Sequence, residues 1–263
     1  MNHPLVAVAA LVVVAGGAAF YAWYSSNPPP APVPPVASAP PPPTAVAPPL
    51  PAIAHPLPPP PAAAPLLPPL ADSDGTAQAA LVELFGRDTF VRYFVPDALV
   101  RNFVVTIDNL PRKTAAARLR PIRAVPGPFA VAGRGGELLI ASDNALRYRP
   151  YVVAMEGVEA KRLVAAYVRL YPLFQKAYEE LGYPNGYFND RVVQAIDDLL
   201  AAPDVPSPQL VQPKVLYEFA DPALEERSAG QKIMLRMGTA NAVRVKDKLR
   251  TIRKEIAAQT PPS

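Results

Sequence analysis

Apolar positions fall into three regimes along the chain. Leu5 to Tyr24 is a run of 20 residues without a charge. As a helix at about 1.5 Å per residue it would reach roughly 30 Å, the thickness of a bilayer's hydrocarbon core. Phe20, Tyr21, Trp23 and Tyr24 close the run with rings suited to the headgroup boundary. From Ser25 to Leu70 the chain stays apolar but shows no period. From Asp72 onward, apolar and polar positions alternate with helical and, briefly, strand spacing.

That third regime predicts short helices over Thr76–Phe85 and Asp88–Val95. Asp97 can cap a helix from Ala98 to Asn109, whose Val100, Val104 and Ile107 share one face. Phe129–Ala132 and Glu137–Ala141 read as strands joined at Gly133-Arg134-Gly135-Gly136, a hairpin signal. Ser142, Asp143 or Asn144 can cap a helix running towards Met155. Val158–Leu181 is the longest helical pattern, with Pro172 inside it and Gly182 placed to end it. Asn189 or Asp190 can cap a helix carrying Val192, Val193 and Ile196. Leu210–Val211 and Lys214–Phe219 read as extended. Asp221-Pro222 opens one or two helices ending by Gly238, and an amphipathic helix follows from Asn241 to Ala258. The fold class expected is mainly α with a small β-sheet (α+β).

Composition divides the chain in the same places. All 48 charged residues lie at or beyond Asp72, and 21 of the 37 prolines lie between Ser25 and Leu70. Proline fixes φ and lacks an N–H, so neither a helix nor a sheet ladder can form there. The expected organisation is a transmembrane anchor (1–24), a disordered or polyproline spacer (25–71) and a mostly helical globular domain (72–260). At about 3.1 Å per residue the spacer could reach up to roughly 140 Å. Its PxxP patterns could also engage aromatic grooves, although no basic residue flanks them.

The residue inventory excludes several chemistries. Cysteine is absent, and the two histidines, His3 and His55, precede the charged part. Disulfides, thiolate nucleophiles, Cys zinc sites and histidine triads therefore drop out of the domain. The glycine cluster at 133–136 lacks the Lys-Ser/Thr ending of a phosphate loop. Asp72-Ser73-Asp74-Gly75 lacks the later ligands of a calcium loop. No cofactor, metal site or catalytic residue is expected.

Two surfaces are candidates for binding. Seven rings crowd into Tyr167–Phe188. At helical spacing such rings belong first to a core. A surface stripe would instead stack on sugars or hold a partner helix, with Tyr171, Tyr178, Tyr183 and Tyr187 as contacts. The last helix sets Val245, Leu249, Ile252 and Ile256 on one side and basic residues over much of the rest, with Arg250, Arg253 and Lys254 as candidates for an anionic surface. Glu179, Glu180, Asp190, Asp197 and Asp198 gather acid beside the rings. A facing pair could cleave glycans, yet caps and ion pairs explain such residues more simply.

A four-residue head with everything else downstream is the common single-anchor arrangement, with the C-terminal part translocated, although no Lys or Arg precedes the apolar run as the usual anchor pattern has it. The expectation is an inner-membrane, single-pass protein held through residues 5–24, with a periplasmic C-terminal domain. That domain would bind or scaffold an envelope protein or an anionic polymer without catalysis, and translocation would remove nucleic acid as a partner. The alternatives are a carboxylate-dependent cell-wall glycan hydrolase and a cytoplasm-facing scaffold.

Four strings add a resemblance: Phe103–Arg112 (FVVTIDNLPR), Arg147–Val152 (RYRPYV), Tyr171–Arg191 (YPLFQKAYEELGYPNGYFNDR) and Pro213–Gly238 (PKVLYEFADPALEERSAGQKIMLRMG). Together they resemble the bacterial domain-of-unknown-function family 3014 over about Ala77 to Ala258. The resemblance implies a Gram-negative envelope protein with an N-terminal anchor and brings no activity, cofactor or catalytic residue. The order of anchor, proline rod and domain also resembles the TonB energy-coupling proteins, in layout alone.

Overall fold

Helical periodicity from Asp72 onward is realised as nine helices, with four short strands between them, among the described residues. A computed structural model describes residues 52–59, 66–114, 118–133 and 137–259. The apolar run at 5–24 and spacer residues 25–51 and 60–65 lie outside them. No helix among the described residues is long and apolar enough to cross a membrane.

The helices are α1 (Asp74–Phe85), α2 (Arg87–Tyr93), α3 (Leu99–Asn109), α4 (Ser142–Glu156), α5 (Ala160–Glu180), α6 (Phe188–Leu200), α7 (Pro222–Glu225), α8 (Ala229–Arg236) and α9 (Thr239–Ala257). A single 3₁₀ turn, Leu70–Asp72, leads into α1. Helix α3 packs on α5 and α6, and α9 closes the group against α4, α5 and α6. Leu99, Val100, Val104, Val164 and Phe188 are fully buried where these helices meet. Val100 and Val104 on α3, Leu170, Leu173 and Ala177 on α5, and Val192 and Ile196 on α6 are buried at steps of three and four residues, which turns them to one side of each helix.

The sheet is antiparallel throughout, in the order β1 (Val131–Ala132), β2 (Leu138–Ile140), β3 (Gln209–Val211), β4 (Glu218–Phe219). Val131 pairs with Ile140, Leu138 with Leu210, and Leu210 with Phe219. The two strands expected on either side of the glycine cluster therefore pair. At Gly133 φ is +95°, and a Cβ there would lie 1.9 Å from the Glu137 carbonyl oxygen, so only glycine fits. Leu210 and Phe219 join Leu224 and Leu235 in a second, smaller core.

Three local expectations are corrected. Asp97 does not cap α3. The carboxylate of Asp74, in the first turn of α1, accepts the N–H groups of Ala98 and Leu99, both at 2.8 Å. Ala98 has φ +50° and so turns the chain left-handed just before α3. Asn144 does not cap α4. Ala141 holds that place, while the fully buried Asn144 donates to the Arg236 carbonyl and accepts from Ala130 N. The extended stretch Lys214–Phe219 shrinks to Glu218–Phe219, with Val215 and Leu216 exposed. Asp221 does cap α7, accepting from Ala223 N at 2.8 Å.

Candidate functional site

Helices α1 to α6 and α9 line an apolar cavity of about 470 Å³. Every lining side chain is aliphatic, thioether or aromatic, and the hydroxyls of Tyr93, Tyr148, Tyr151 and Tyr167 are the polar side-chain atoms they bring. Alanine makes the space: Ala77 and Ala80 on α1, Ala154 on α4 and Ala166 on α5 stand where larger residues would fill it. The volume lies within the range of small-molecule sites, about 300–1,000 Å³. Ile122, 41% exposed, is the most exposed residue of the lining. Tyr93 and Tyr151, also in the lining, have ring centres 4.7 Å apart, and the Tyr151 hydroxyl donates to the Ala124 carbonyl. Burial pushes the Tyr151 hydroxyl's pKa up, with nearby Tyr93 adding and Arg123 opposing.

A second feature stands at the start of α6. Asn189 and Asp190 do not cap that helix; extended Tyr187 occupies the N-cap place. The free N–H groups of α6 are met instead from α5. The side-chain Oε1 of Gln175 accepts from Phe188 N at 2.9 Å, and the Tyr171 hydroxyl accepts from Asn189 N at 3.3 Å. Tyr171 donates its own proton to Gln175 Oε1, and burial holds its hydroxyl protonated far above neutral pH. With these needs met, the side chains of Tyr187, Asn189 and Asp190 are left to form a polar shelf.

Residues 54–57, in the stretch the sequence reads as spacer, lie on this shelf. The Asp190 carboxylate accepts from Ala54 N at 3.1 Å and from His55 N at 2.7 Å. The Tyr187 hydroxyl accepts from Leu57 N at 2.8 Å. Asn189 donates from Nδ2 to the His55 carbonyl at 2.8 Å, and its Oδ1 accepts the Tyr167 hydroxyl at 3.0 Å. Leu57 is buried.

The aromatic candidates thus have different fates. Tyr187 touches residue 57, and Tyr171 supports the shelf from below, its ring 5.4 Å from that of Tyr187. Tyr178 is buried and stacked on Tyr183 at 4.5 Å. Tyr183 in turn shares its hydroxyl with Asp108 and Arg112.

The basic candidates sit apart, on α9. Arg250 pairs with Asp247 at 2.6 Å and Arg253 with Asp197 at 3.2 Å, while Lys254 is exposed. Elsewhere on α9, Arg244 pairs with Glu156, holding that carboxyl's pKa down mainly through their hydrogen bonds. Lys246 is buried on the Ala202 carbonyl and Asp204. The carboxylates beside the rings are also engaged: Glu180 with Arg101 at 2.7 Å, Asp190 with the shelf segment, and Asp198 with Ser228 and Gln231. Sequence reasoning did not find the cavity or Asn189. The alanines at core spacing were the available signal for the first.

A family model described as a protein of unknown function (DUF3014) matches residues 99–253, from the first residue of α3 into α9. Nothing matched among curated proteins or solved structures. Tyr187, Asn189, Asp190 and most of the cavity wall fall inside the matched span, whereas α1, α2 and residues 54–57 precede it. Since the match takes in more than half of the chain, the protein belongs to the DUF3014 family.

Proposed function

We propose that this protein is a non-enzymatic, membrane-tethered binding protein whose domain takes up the hydrocarbon tail of an anionic amphiphile. The observation that carries the reading is the 470 Å³ cavity with its apolar lining. A cavity of about 150 Å³ is enough to bind benzene, so this one suits a chain rather than a single ring. Arg123, beside Tyr151 and next in sequence to the exposed lining residue Ile122, supports an acidic head group.

In this reading residues 5–24 hold the protein in the inner membrane and the spacer carries the domain into the periplasm, within reach of amphiphiles. Arg250, Arg253 and Lys254 on α9 are the surface proposed for an envelope protein or anionic polymer. The hydrolase alternative gains no support from the site, because Glu180 and Asp190 both hold structural partners.

The test is photocrosslinking in cells expressing the full chain and fed a diazirine fatty acid. Crosslinks should map to lining peptides of α1, α5 and α9 and fall at least several-fold in Ala166→Phe and Ala154→Phe. Labelling confined to residues 5–24 would overturn the reading. An export-dependent reporter fused behind Ser263 tests the orientation, and a cytoplasmic C-terminus would sink the periplasmic placement.

A further inference from the structure

We propose that the Tyr187–Asn189–Asp190 shelf is a peptide-binding site for an X-X-Pro-Leu segment, and that residues 54–57 of the same chain occupy it as a latch that shortens the tether. The site reads backbone as well as side chain. Every N–H from Ala54 to Leu57 has an acceptor on the shelf, and Pro56, which has none, sits at the one position where no acceptor is offered. The carbonyl of His55 is taken by Asn189, a fully buried side chain whose other end is already bonded to Tyr167. Without the segment, that amide would keep a donor with no partner on the shelf. Leu57, only 9% exposed, is the apolar anchor.

This pattern distinguishes one part of the spacer from another. Pro-Leu-Pro occurs at 49–51 as well as at 56–58. In the register of 54–57, the earlier copy places Pro48 where His55 stands. Proline has no N–H, so the bond to Asp190 Oδ1 would be lost. The latch therefore belongs at 54–57. Docked, the tether ends near residue 51. Released, it gains the residues up to about 66, roughly 45 Å at about 3.1 Å per residue of extended chain. This inference is independent of the ligand in the cavity.

The test uses the full chain in lipid nanodiscs and a labelled synthetic peptide of residues 52–60 (AIAHPLPPP). A variant with His55→Gly, Pro56→Gly and Leu57→Ser vacates the shelf. It should bind the peptide at least about ten-fold more tightly than the wild type, whose own segment competes at a millimolar-scale effective concentration. Adding Tyr187→Phe, which removes one acceptor and leaves the fold intact, should weaken binding several-fold. A peptide of residues 45–53, carrying the earlier Pro-Leu-Pro, should not compete. Equal binding by wild type and vacated chain, or no effect of Tyr187→Phe, would overturn the site. In the wild type, hydrogen exchange at Ala54, His55 and Leu57 should be slow at every protein concentration. Protection that falls on dilution would place the segment on a second copy and overturn the latch.

Discussion

Tyr167 donates its hydroxyl proton to Oδ1 of Asn189 at 3.0 Å, tying a ring that lines the cavity to the residue that holds the His55 carbonyl. Burial raises the Tyr167 pKa well above its ordinary value, so the group stays a donor across the working pH range. Asn189→Ala leaves the Tyr167 hydroxyl without its acceptor and should cost about 2 kcal/mol. Tyr167→Phe should cost about 1 kcal/mol. Because both remove the same bond, the double variant should cost less than the sum, measured by chemical denaturation.

Asp74 and Asp97 compete for one role, and the geometry gives it to Asp74. Asp74→Ala should lower stability by about 1–2 kcal/mol through two unmet N–H groups at the start of α3. Asp97→Ala should stay within about 0.5 kcal/mol. Matching urea midpoints for the two variants would refute the assignment.

Asp108, buried on α3, accepts from Arg191 at 3.0 Å and from Arg112 at 2.8 Å. Arg191 is itself largely buried. Asp108→Ala leaves that guanidinium uncompensated and should cost about 3–5 kcal/mol. Arg112→Ala, whose side chain is half exposed, should cost much less. Thermal melts of the two variants separate these outcomes.

Gly186 sits against the stacked pair Tyr178 and Tyr183. A Cβ there would meet Tyr178 Cε1 at 2.8 Å and Tyr183 Cβ at 3.0 Å. Gly186→Ala should therefore cost about 1–3 kcal/mol and change the near-ultraviolet circular dichroism of the tyrosines. An unchanged spectrum would show that the rings shift freely.

Glu225 carries the clearest pH dependence. Burial pushes its pKa up, but the Lys232 ammonium and the Phe219 N–H outweigh burial and leave it below the ordinary carboxylate value. A depressed folded pKa means stability that is present above the unfolded-state value and lost as pH falls through the folded one. The gap in unfolding free energy between wild type and Glu225→Gln should be full at neutral pH. It should close as pH falls below the ordinary carboxylate range.

The Asp74 case shows why some caps were legible and others not. Asp221 caps α7 through Ala223, two residues away, and such a bond is implicit in the local sequence. Asp74 reaches Ala98 across two helices and a turn, so its rival Asp97, adjacent in sequence, was the natural reading. The start of α6 repeats the lesson. Asn189 and Asp190 have capping side chains, yet Gln175 and Tyr171 from the neighbouring helix meet the free N–H groups first. That frees the two residues for the shelf. Likewise the basic residues of α9 read as one charged face, whereas Asp197, Glu156 and Asp204 arrive from other segments to pair with several of them.

Periodicity and proline content by themselves determined the helical domain with its paired strands and the boundary at which charge begins. These are properties of residues close in sequence, where spacing of two or of three and four settles which side a group faces. The cavity and the shelf were decided only by tertiary structure. The cavity is a volume left by seven helices, so no single segment's pattern encodes it. The shelf exists because a carbonyl at residue 55 meets an amide at residue 189, across 134 positions, and chain connectivity alone says nothing about which distant groups packing will bring together.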